Sequence, residues 1–278
     1  MNIFFRIILF VAIILLSNCN KNKDTKLETI QEKKLEDQMV SAYNDGVAKF
    51  NEGDAILAAK KFNEAEILFP QSEWAPKAAL MSAYSYFTYS YYSDSIFELK
   101  RFINKYPNHS QLDYAYYLLA MSYYEQIIDE TRDIEPLLEA KKNFNFLITN
   151  FPETDFALDA DYKIGLIDEI LASKEMYIAR YYLDRAKWIP AINRYKVIVN
   201  DYDSSIYIDE ALHRLVEIHY KIGLESEAQK YAKLLGYNYL SSEWYKKSYK
   251  VLNKNYKSPK INKKRKSSLL KKFKSLLE

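Results

Sequence analysis

The sequence predicts an all-α fold, a solenoid of about five helical hairpins, from three observations. An aromatic residue at a turn recurs five times, as Phe69, Tyr106, Phe151, Tyr202 and Tyr239, and a small residue follows each of them nine positions later. These aromatic residues are 37, 45, 51 and 37 positions apart, near the period of roughly 20 to 50 residues that is typical of solenoids. The chain has only 5 glycines and 7 prolines, too few for the many tight turns of an all-β protein.

The residues that precede each turn follow the second half of the tetratricopeptide consensus, Ala-x₃-Phe-x₂-Ala-x₄-Pro. The first unit matches it with Ala58, Phe62, Ala65 and Pro70. The later units place these residues at the same spacing: Ser95, Leu99, Phe102 and Pro107; Ala140, Phe144, Leu147 and Pro152; Ala191, Tyr195, Ile198 and Asp203; Ala228, Ala232, Leu235 and Leu240. Small side chains let two helices approach closely, and the larger one fills the groove between hairpins. The sequence therefore predicts a tetratricopeptide-repeat solenoid over residues 39–253.

Residues 1–18 are predicted to be a lipoprotein signal peptide. Arg6 precedes an apolar run over residues 7–16, which as a helix spans about 15 Å, half of a bilayer core and typical of a signal peptide rather than a membrane span. Residues 15–19, LLSNC, resemble the lipobox of bacterial lipoproteins, with Asn18 where a smaller residue is usual. We therefore expect lipidation of Cys19, whose acyl chains anchor by about 0.8 kcal/mol per buried CH₂. The alternative is an ordinary secretory signal with an unmodified thiol.

Two polar segments flank the array. Residues 19–38 are mixed in charge and nearly free of large apolar groups, which predicts a lipidated tether that does not fold alone. Residues 254–278 hold ten Lys or Arg and one Glu. Leucines and a phenylalanine at helical spacing in this basic tail, residues 269–277, favour a short amphipathic helix for anionic lipid or an acidic partner, and a solubilising tail is the alternative. We expect no nucleic-acid partner, because an exported protein does not meet nucleic acid.

The two longer periods indicate insertions. The third unit has eight residues more than the shortest period, most simply in the loop Asp129–Glu135. The fourth has fourteen more, most simply as extra helix between Gly165 and Asp184. We expect these insertions to interrupt the regular superhelix and to create special surfaces.

The sequence contains no pattern that predicts catalysis, a metal or a cofactor. His213 and His219 are six residues apart, which does not place two ligands on one side of a helix. Glycine-rich phosphate loops, HExxH and G-x-S-x-G are missing. Ser268 and Lys271 form an S-x-x-K match without its companion motifs. We therefore predict a protein that is not an enzyme.

The 26 tyrosines predict either core packing or a peptide-binding groove, since tyrosine offers a large rigid surface with a polar tip. Runs of them fall on the first helices of the second and third hairpins, which line the concave face of a tetratricopeptide array. The candidate groove residues are Tyr84, Tyr86, Tyr116, Tyr117, Tyr123 and Tyr124.

Several blocks resemble the BamD family, the lipoproteins of the outer-membrane β-barrel assembly machinery. The blocks are residues 112–118 (LDYAYYL), 122–127 (SYYEQI), 179–183 (ARYYL), 191–194 (AINR), 210–217 (EALHRLVE), 223–224 (GL) and 227–228 (EA). Together with the lipobox they span most of the chain. Ala186 and Pro190 depart from the glycine and the non-proline residue that are common in the family.

The resemblance implies a scaffold without enzymatic activity, anchored by lipid to the periplasmic face of the outer membrane. It implies that residues 39–152 bind client segments of unfolded outer-membrane proteins. It also implies that residues 153–253 bind BamA and other subunits of the machinery, with Asn193, Arg194 and Arg180 as contact residues. The competing interpretation is a generic periplasmic tetratricopeptide lipoprotein for cell-wall or pilus assembly.

Overall fold

The computed structural model describes residues 34–126 and 133–253. Within these two ranges it contains eleven α-helices and no β-strand. They are α1 (Leu35–Asn51), α2 (Ala55–Leu68), α3 (Trp74–Thr88), α4 (Tyr92–Lys105), α5 (Leu112–Tyr124), α6 (Glu135–Asn150), α7 (Asp155–Asp184), α8 (Trp188–Asp201), α9 (Ile208–Lys221), α10 (Glu225–Asn238) and α11 (Glu243–Leu252).

Consecutive helices pair into five hairpins, each with a first helix (α1, α3, α5, α7, α9) and a second helix (α2, α4, α6, α8, α10). Each hairpin packs on the next, and α11 closes the array by packing on α9 and α10. This arrangement confirms the predicted all-α solenoid of about five hairpins. None of the described helices combines the length and the apolar character that crossing a membrane requires.

The predicted core positions are confirmed. All fifteen small or apolar consensus residues of the second helices are at most 2% exposed. The residues nine positions after each aromatic are also fully buried, namely Ala78, Ala115, Ala160, Ala211 and Ser248. Each aromatic residue itself is the C-cap of a second helix. The turn therefore ends one hairpin and places a small residue at the contact with the next.

The turns inside the hairpins have a shared conformation at their middle residue. Gly53, Ser90, Ala186 and Gly223 all have a positive φ, at 88°, 63°, 55° and 85°. At Ala186 the N–H donates to the Leu183 carbonyl, and the next N–H donates to the Tyr182 carbonyl. The same pair of bonds forms at the other three turns. This is the Schellman ending of a helix, in which glycine is favoured because it has no Cβ.

Buried charge joins the first two hairpins. Glu66 on α2 is 1% exposed and lies 2.7 Å from the Arg101 guanidinium and 2.8 Å from Lys105 Nζ. The Tyr106 hydroxyl also donates to it at 2.7 Å. Burial raises the pKa of the Glu66 carboxyl, but the bonds from Arg101, Lys105 and Tyr106 outweigh it, so the pKa is lowered overall. The carboxylate therefore stays charged and holds α2 to α4.

One helix boundary differs from expectation. Helix α1 begins at Leu35, ahead of Met39, because Glu36 and Asp37 favour a helix N-terminus and Met39 is already buried in the core. The predicted tether, residues 19–38, therefore loses its last four residues to α1. In the fourth hairpin the extra helix predicted between Gly165 and Asp184 is present, because α7 continues through these residues as one helix of 30 residues.

Other expectations fall on residues outside the described ranges. These are the signal peptide at residues 1–18, Cys19, most of the tether, most of the third-hairpin insertion, and the tail at residues 254–278.

Candidate protein-interaction sites

The first helices of the first three hairpins form a pocket of about 300 Å³, here called the first-helix pocket. It is lined by Tyr43 of α1, by Lys77, Leu80, Met81 and Tyr84 of α3, and by Gln111 and Tyr114 at the start of α5. The α3 residues recur at helical spacing, so one face of this helix forms the floor. Tyr43 is fixed by edge contacts with Phe62 and Trp74, at ring distances of 5.2 and 5.3 Å.

The first-helix pocket combines apolar walls with one positive charge. Lys77 is exposed, with its Nζ 5.1 Å from the Trp74 ring centroid. Burial, with a contribution from Tyr84, raises the pKa of Tyr114 to about 12. Its hydroxyl therefore remains protonated near neutral pH. Burial and the charge of Lys77 lower the pKa of nearby His109. The pocket thus suits an apolar or aromatic side chain with a carboxylate beside it.

Aromatic contacts continue from this pocket to α7. Tyr114 lies 5.4 Å from the Phe156 ring, and Tyr117 lies 5.0 Å from the same ring. The Tyr117 hydroxyl donates to Asp159 at 2.8 Å. Farther along α5, the Tyr124 ring lies 5.3 Å from Lys163 Nζ. A row of half-buried tyrosines therefore follows the face of α5 that meets α7.

The structure separates the six candidate groove tyrosines. Tyr84 lines the first-helix pocket, whereas Tyr117 and Tyr124 lie on the continuing row. The other three face second helices: Tyr86 contacts Tyr91 at the start of α4, Tyr116 contacts Phe146 of α6 at 4.3 Å, and Tyr123 lies beneath Lys100 of α4.

Tyr84 is the one residue of this pocket that the sequence predicted. The prediction missed Tyr43, Lys77, Leu80, Met81, Gln111 and Tyr114. The signal for Tyr114 is its spacing to Tyr117, since residues three positions apart lie on the same face of a helix. At about 100° per residue, Tyr116 and Tyr123 lie about 160° and 180° around the helix from Tyr114.

A second surface lies at the fourth hairpin. A cleft of about 280 Å³ is lined by Tyr182, Ile189, Pro190, Asn193, Arg194 and Val197. Ile189 is 62% exposed, so the cleft has an apolar edge. One terminal nitrogen of Arg194 lies 3.1 Å from each carboxylate oxygen of Glu175 on α7. The guanidinium is therefore oriented by this chain but remains partly open to solvent.

Arg180 does not join this second surface. Its guanidinium binds both oxygens of Glu210 on α9, at 3.3 and 2.5 Å. Glu210 is nearly buried and also accepts from Arg214 at 3.4 Å. Arg180 thus links the fourth and fifth hairpins, while Arg194 is held within the fourth.

Both surfaces are suited to binding other proteins. Within residues 34–126 and 133–253, no group of three or more His, Cys, Asp or Glu residues is arranged to hold a metal ion. The side chains present offer apolar contact, hydrogen bonds and fixed charges.

Comparison with known proteins gives consistent relatives. The family model described as YfiO, outer membrane lipoprotein, matches residues 35–234. The outer membrane protein assembly factor BamD of Rickettsia prowazekii (strain Madrid E) is 36% identical over 244 residues, covering 88% of this chain and 94% of the relative. BamD of Caulobacter vibrioides is 36% identical over 211 residues, covering 76% of this chain and 69% of the relative.

Solved structures are more distant. The crystal structure of MamA protein has a TM-score of 0.37 and 19% identity, covering 80% of this chain and 99% of that one. Pseudomonas aeruginosa pilF has a TM-score of 0.34 and 14% identity, covering 77% and 97%. The family match and the two relatives together are decisive: the chain belongs to the YfiO family of outer membrane lipoproteins, the family of the assembly factor BamD.

Proposed function

We propose that this chain is a scaffold without enzymatic activity in the outer-membrane β-barrel assembly machinery. In this role it binds BamA and segments of unfolded outer-membrane proteins and so promotes barrel insertion. Membership of the family supports the role in outer membrane protein assembly. The presence of two separate surfaces, one in each half of the array, supports two kinds of partner.

The client site is proposed to be the first-helix pocket, which is the observation that carries the function. Its apolar walls and Lys77 match a peptide that ends in an aromatic residue with a free carboxylate. Tyr84, Tyr117 and Tyr124 would contact the peptide as it continues along α5. Tyr86, Tyr116 and Tyr123 face second helices and would act on the client only through packing.

Fluorescence anisotropy with a labelled carboxy-terminal peptide of an outer-membrane protein tests this site. We expect Tyr84→Ala and Lys77→Glu each to weaken binding about tenfold or more, since 1.4 kcal/mol is tenfold in Kd. Tyr123→Ala, which removes a tyrosine from the same helix bundle but outside the pocket, is the matched control. Equal affinities for all three variants and the parent would contradict the assignment.

The BamA contact is proposed to lie at Asn193 and Arg194, beside exposed Ile189. Arg194 suits an acidic partner because its fork can bind a carboxylate bidentately. Since Glu175 already holds it, Arg194→Glu also breaks an internal pair. We therefore combine it with Glu175→Arg, which restores the internal pair with the charges exchanged.

Co-purification from membranes distinguishes the two roles of Arg194. We expect BamA to be lost from Arg194→Glu and also from the double variant, whereas the double variant regains its melting midpoint. Recovery of BamA by the double variant would show that Arg194 acts only within the chain. Capture of cell-wall or pilus proteins in place of BamA by the parent would overturn the proposed function.

Arg180 is proposed to act on the BamA contact indirectly, by fixing the angle between the fourth and fifth hairpins through Glu210. The anchor is proposed to be acylated Cys19, which holds the array on the periplasmic face of the outer membrane. Cys19→Ser should abolish labelling by radioactive fatty acid and release the chain from membranes. Acyl label on that variant would refute the anchor.

A further inference from the structure

The first half of α7 lies beyond the end of its partner helix. Helix α7 has 30 residues and α8 has 14, so α8 covers only about half of its length. The turn that follows α8 meets α7 at Glu169, where the Ile206 N–H donates to both Glu169 oxygens at 3.1 and 3.3 Å. On the half of α7 that α8 does not cover, Leu158 is 76% exposed and Tyr162 is 65% exposed. We call Leu158, Tyr162 and Gly165 the α7 shelf.

Gly165 has no packing reason within the described part of the chain. A Cβ at Gly46 would lie 2.8 Å from the Phe62 ring, and one at Gly236 would lie 2.8 Å from the Tyr245 ring. Apart from its own turn of helix, a Cβ at Gly165 would meet no atom of residues 34–126 and 133–253 within 4 Å. Glycine inside a helix costs about 0.5 to 1 kcal/mol relative to alanine, and its usual role is to allow a close approach. Gly165 therefore marks a place where another segment can lie directly on α7.

The shelf adjoins an acidic cleft of about 380 Å³. Its carboxylates come from Asp161, Asp168 and Glu169 on α7 and from Asp201 and Asp203 at the end of α8. Lys141 on α6 forms an ion pair with Asp168, which leaves an excess of negative charge. An occupant must therefore present apolar side chains to the shelf and cationic ones to the cleft.

We propose that the tail of this chain, residues 254–278, docks on the α7 shelf and the acidic cleft. The tail has ten Lys or Arg and one Glu, with Leu270 and Phe273 among its large apolar residues. Its charge and its apolar residues match the two parts of the surface. The cleft is also adjacent to the end of the array, because the Tyr239 hydroxyl, before α11, donates to the Asp203 carbonyl at 3.3 Å. At about 3.3 Å per extended residue, the tail is long enough to reach it.

Limited trypsin digestion of the full chain in detergent tests this docking, because the tail lysines are cleavage sites. Gly165→Leu should release the tail about tenfold faster, the ratio that 1.4 kcal/mol of lost docking gives. The same variant should melt at an equal or higher temperature, because leucine favours a helix and nothing crowds the site. Asp161→Lys with Asp203→Lys should have the same effect on cleavage. Gln229→Leu, at an exposed position of α10, is the matched control.

The outcomes separate the sources of protection. Slow cleavage in the parent and the control, with fast cleavage in both the Gly165→Leu shelf variant and the Asp161→Lys, Asp203→Lys cleft variant at every protein concentration, supports docking within one chain. Equal cleavage in all variants would overturn the proposal. Protection that requires phosphatidylglycerol vesicles and is unchanged in the shelf and cleft variants would assign the tail to a lipid surface. Protection that grows with protein concentration would assign it to a second copy, and either result refutes docking in cis.

Discussion

Replacement of Ala186 by glycine should stabilise this protein. Ala186 is the middle residue of the turn between α7 and α8, with φ at 55°, and two of the four equivalent turns have glycine there. An L-residue in this left-handed conformation costs about 1 to 2 kcal/mol. Glycine removes that cost but gains about 0.4 to 1 kcal/mol of unfolded-state entropy. Ala186 is exposed, so no packing is lost. The net gain is therefore about 0.8 kcal/mol at the middle of the two ranges, and about 1.6 kcal/mol at most.

The assay is thermal and urea unfolding of the full chain followed by circular dichroism. For an array of this size, each kcal/mol of added stability raises the melting midpoint by about 2 to 4 °C. Gly223→Ala, at the equivalent turn of the fifth hairpin, is the reverse control and should lower the midpoint. A lower midpoint for Ala186→Gly, or a higher one for Gly223→Ala, would refute the reasoning about these turns.

Three further predictions concern stability. Gly46→Ala should destabilise the first hairpin by about 1 to 3 kcal/mol, because the new Cβ would overlap the Phe62 ring. Gly165→Ala should instead stabilise α7. If both variants shift the urea unfolding midpoint in the same direction from the parent, this reasoning is contradicted. Phe62→Ala should cost about 3 to 5 kcal/mol in the same assay, since Phe62 is fully buried, and a cost below about 1 kcal/mol would be inconsistent with its packing. Burial raises the pKa of Glu217, but hydrogen bonds with His213 and Arg214 lower it overall, from 4.5 to about 2. Its stabilising contribution is therefore present above pH 4.5 and lost as the pH falls toward 2. Glu217→Gln should make the melting midpoint depend less steeply on pH in that window. An unchanged pH dependence would refute this role of Glu217.

The fold was predictable because its signals are local and repeated. Each second helix carries its small and large residues within one short window, ending at an aromatic C-cap such as Tyr106. Repetition also located the fourth-hairpin insertion, although a period alone does not say whether added residues extend a helix or form a new one. The start of the array at Leu35 was missed because residues 35–38 are polar or exposed, so the apolar pattern of the helix begins only at the buried Met39.

The sites were only partly predictable. In a run such as residues 114–117, neighbouring tyrosines point about 100° apart, so composition identifies the run but packing decides which side chains face a pocket. Tyr116 lies on Phe146 while Tyr117 lies on Phe156. The partner of Arg194 was also beyond sequence reasoning, because Glu175 is brought to it by the pairing of α7 with α8.

The positions of the two binding surfaces lead to a prediction about how they work together. The first-helix pocket is built from α1, α3 and α5, whereas the Arg194 surface is built from α7 and α8. In a repeat array each hairpin contacts only its neighbours, so a change at one surface reaches the other only through α7. We therefore expect Arg194→Glu to leave the affinity for the client peptide unchanged within about twofold, less than 0.5 kcal/mol. Anisotropy titrations of the parent and the variant measure this, and a larger change would show that α7 couples the two surfaces.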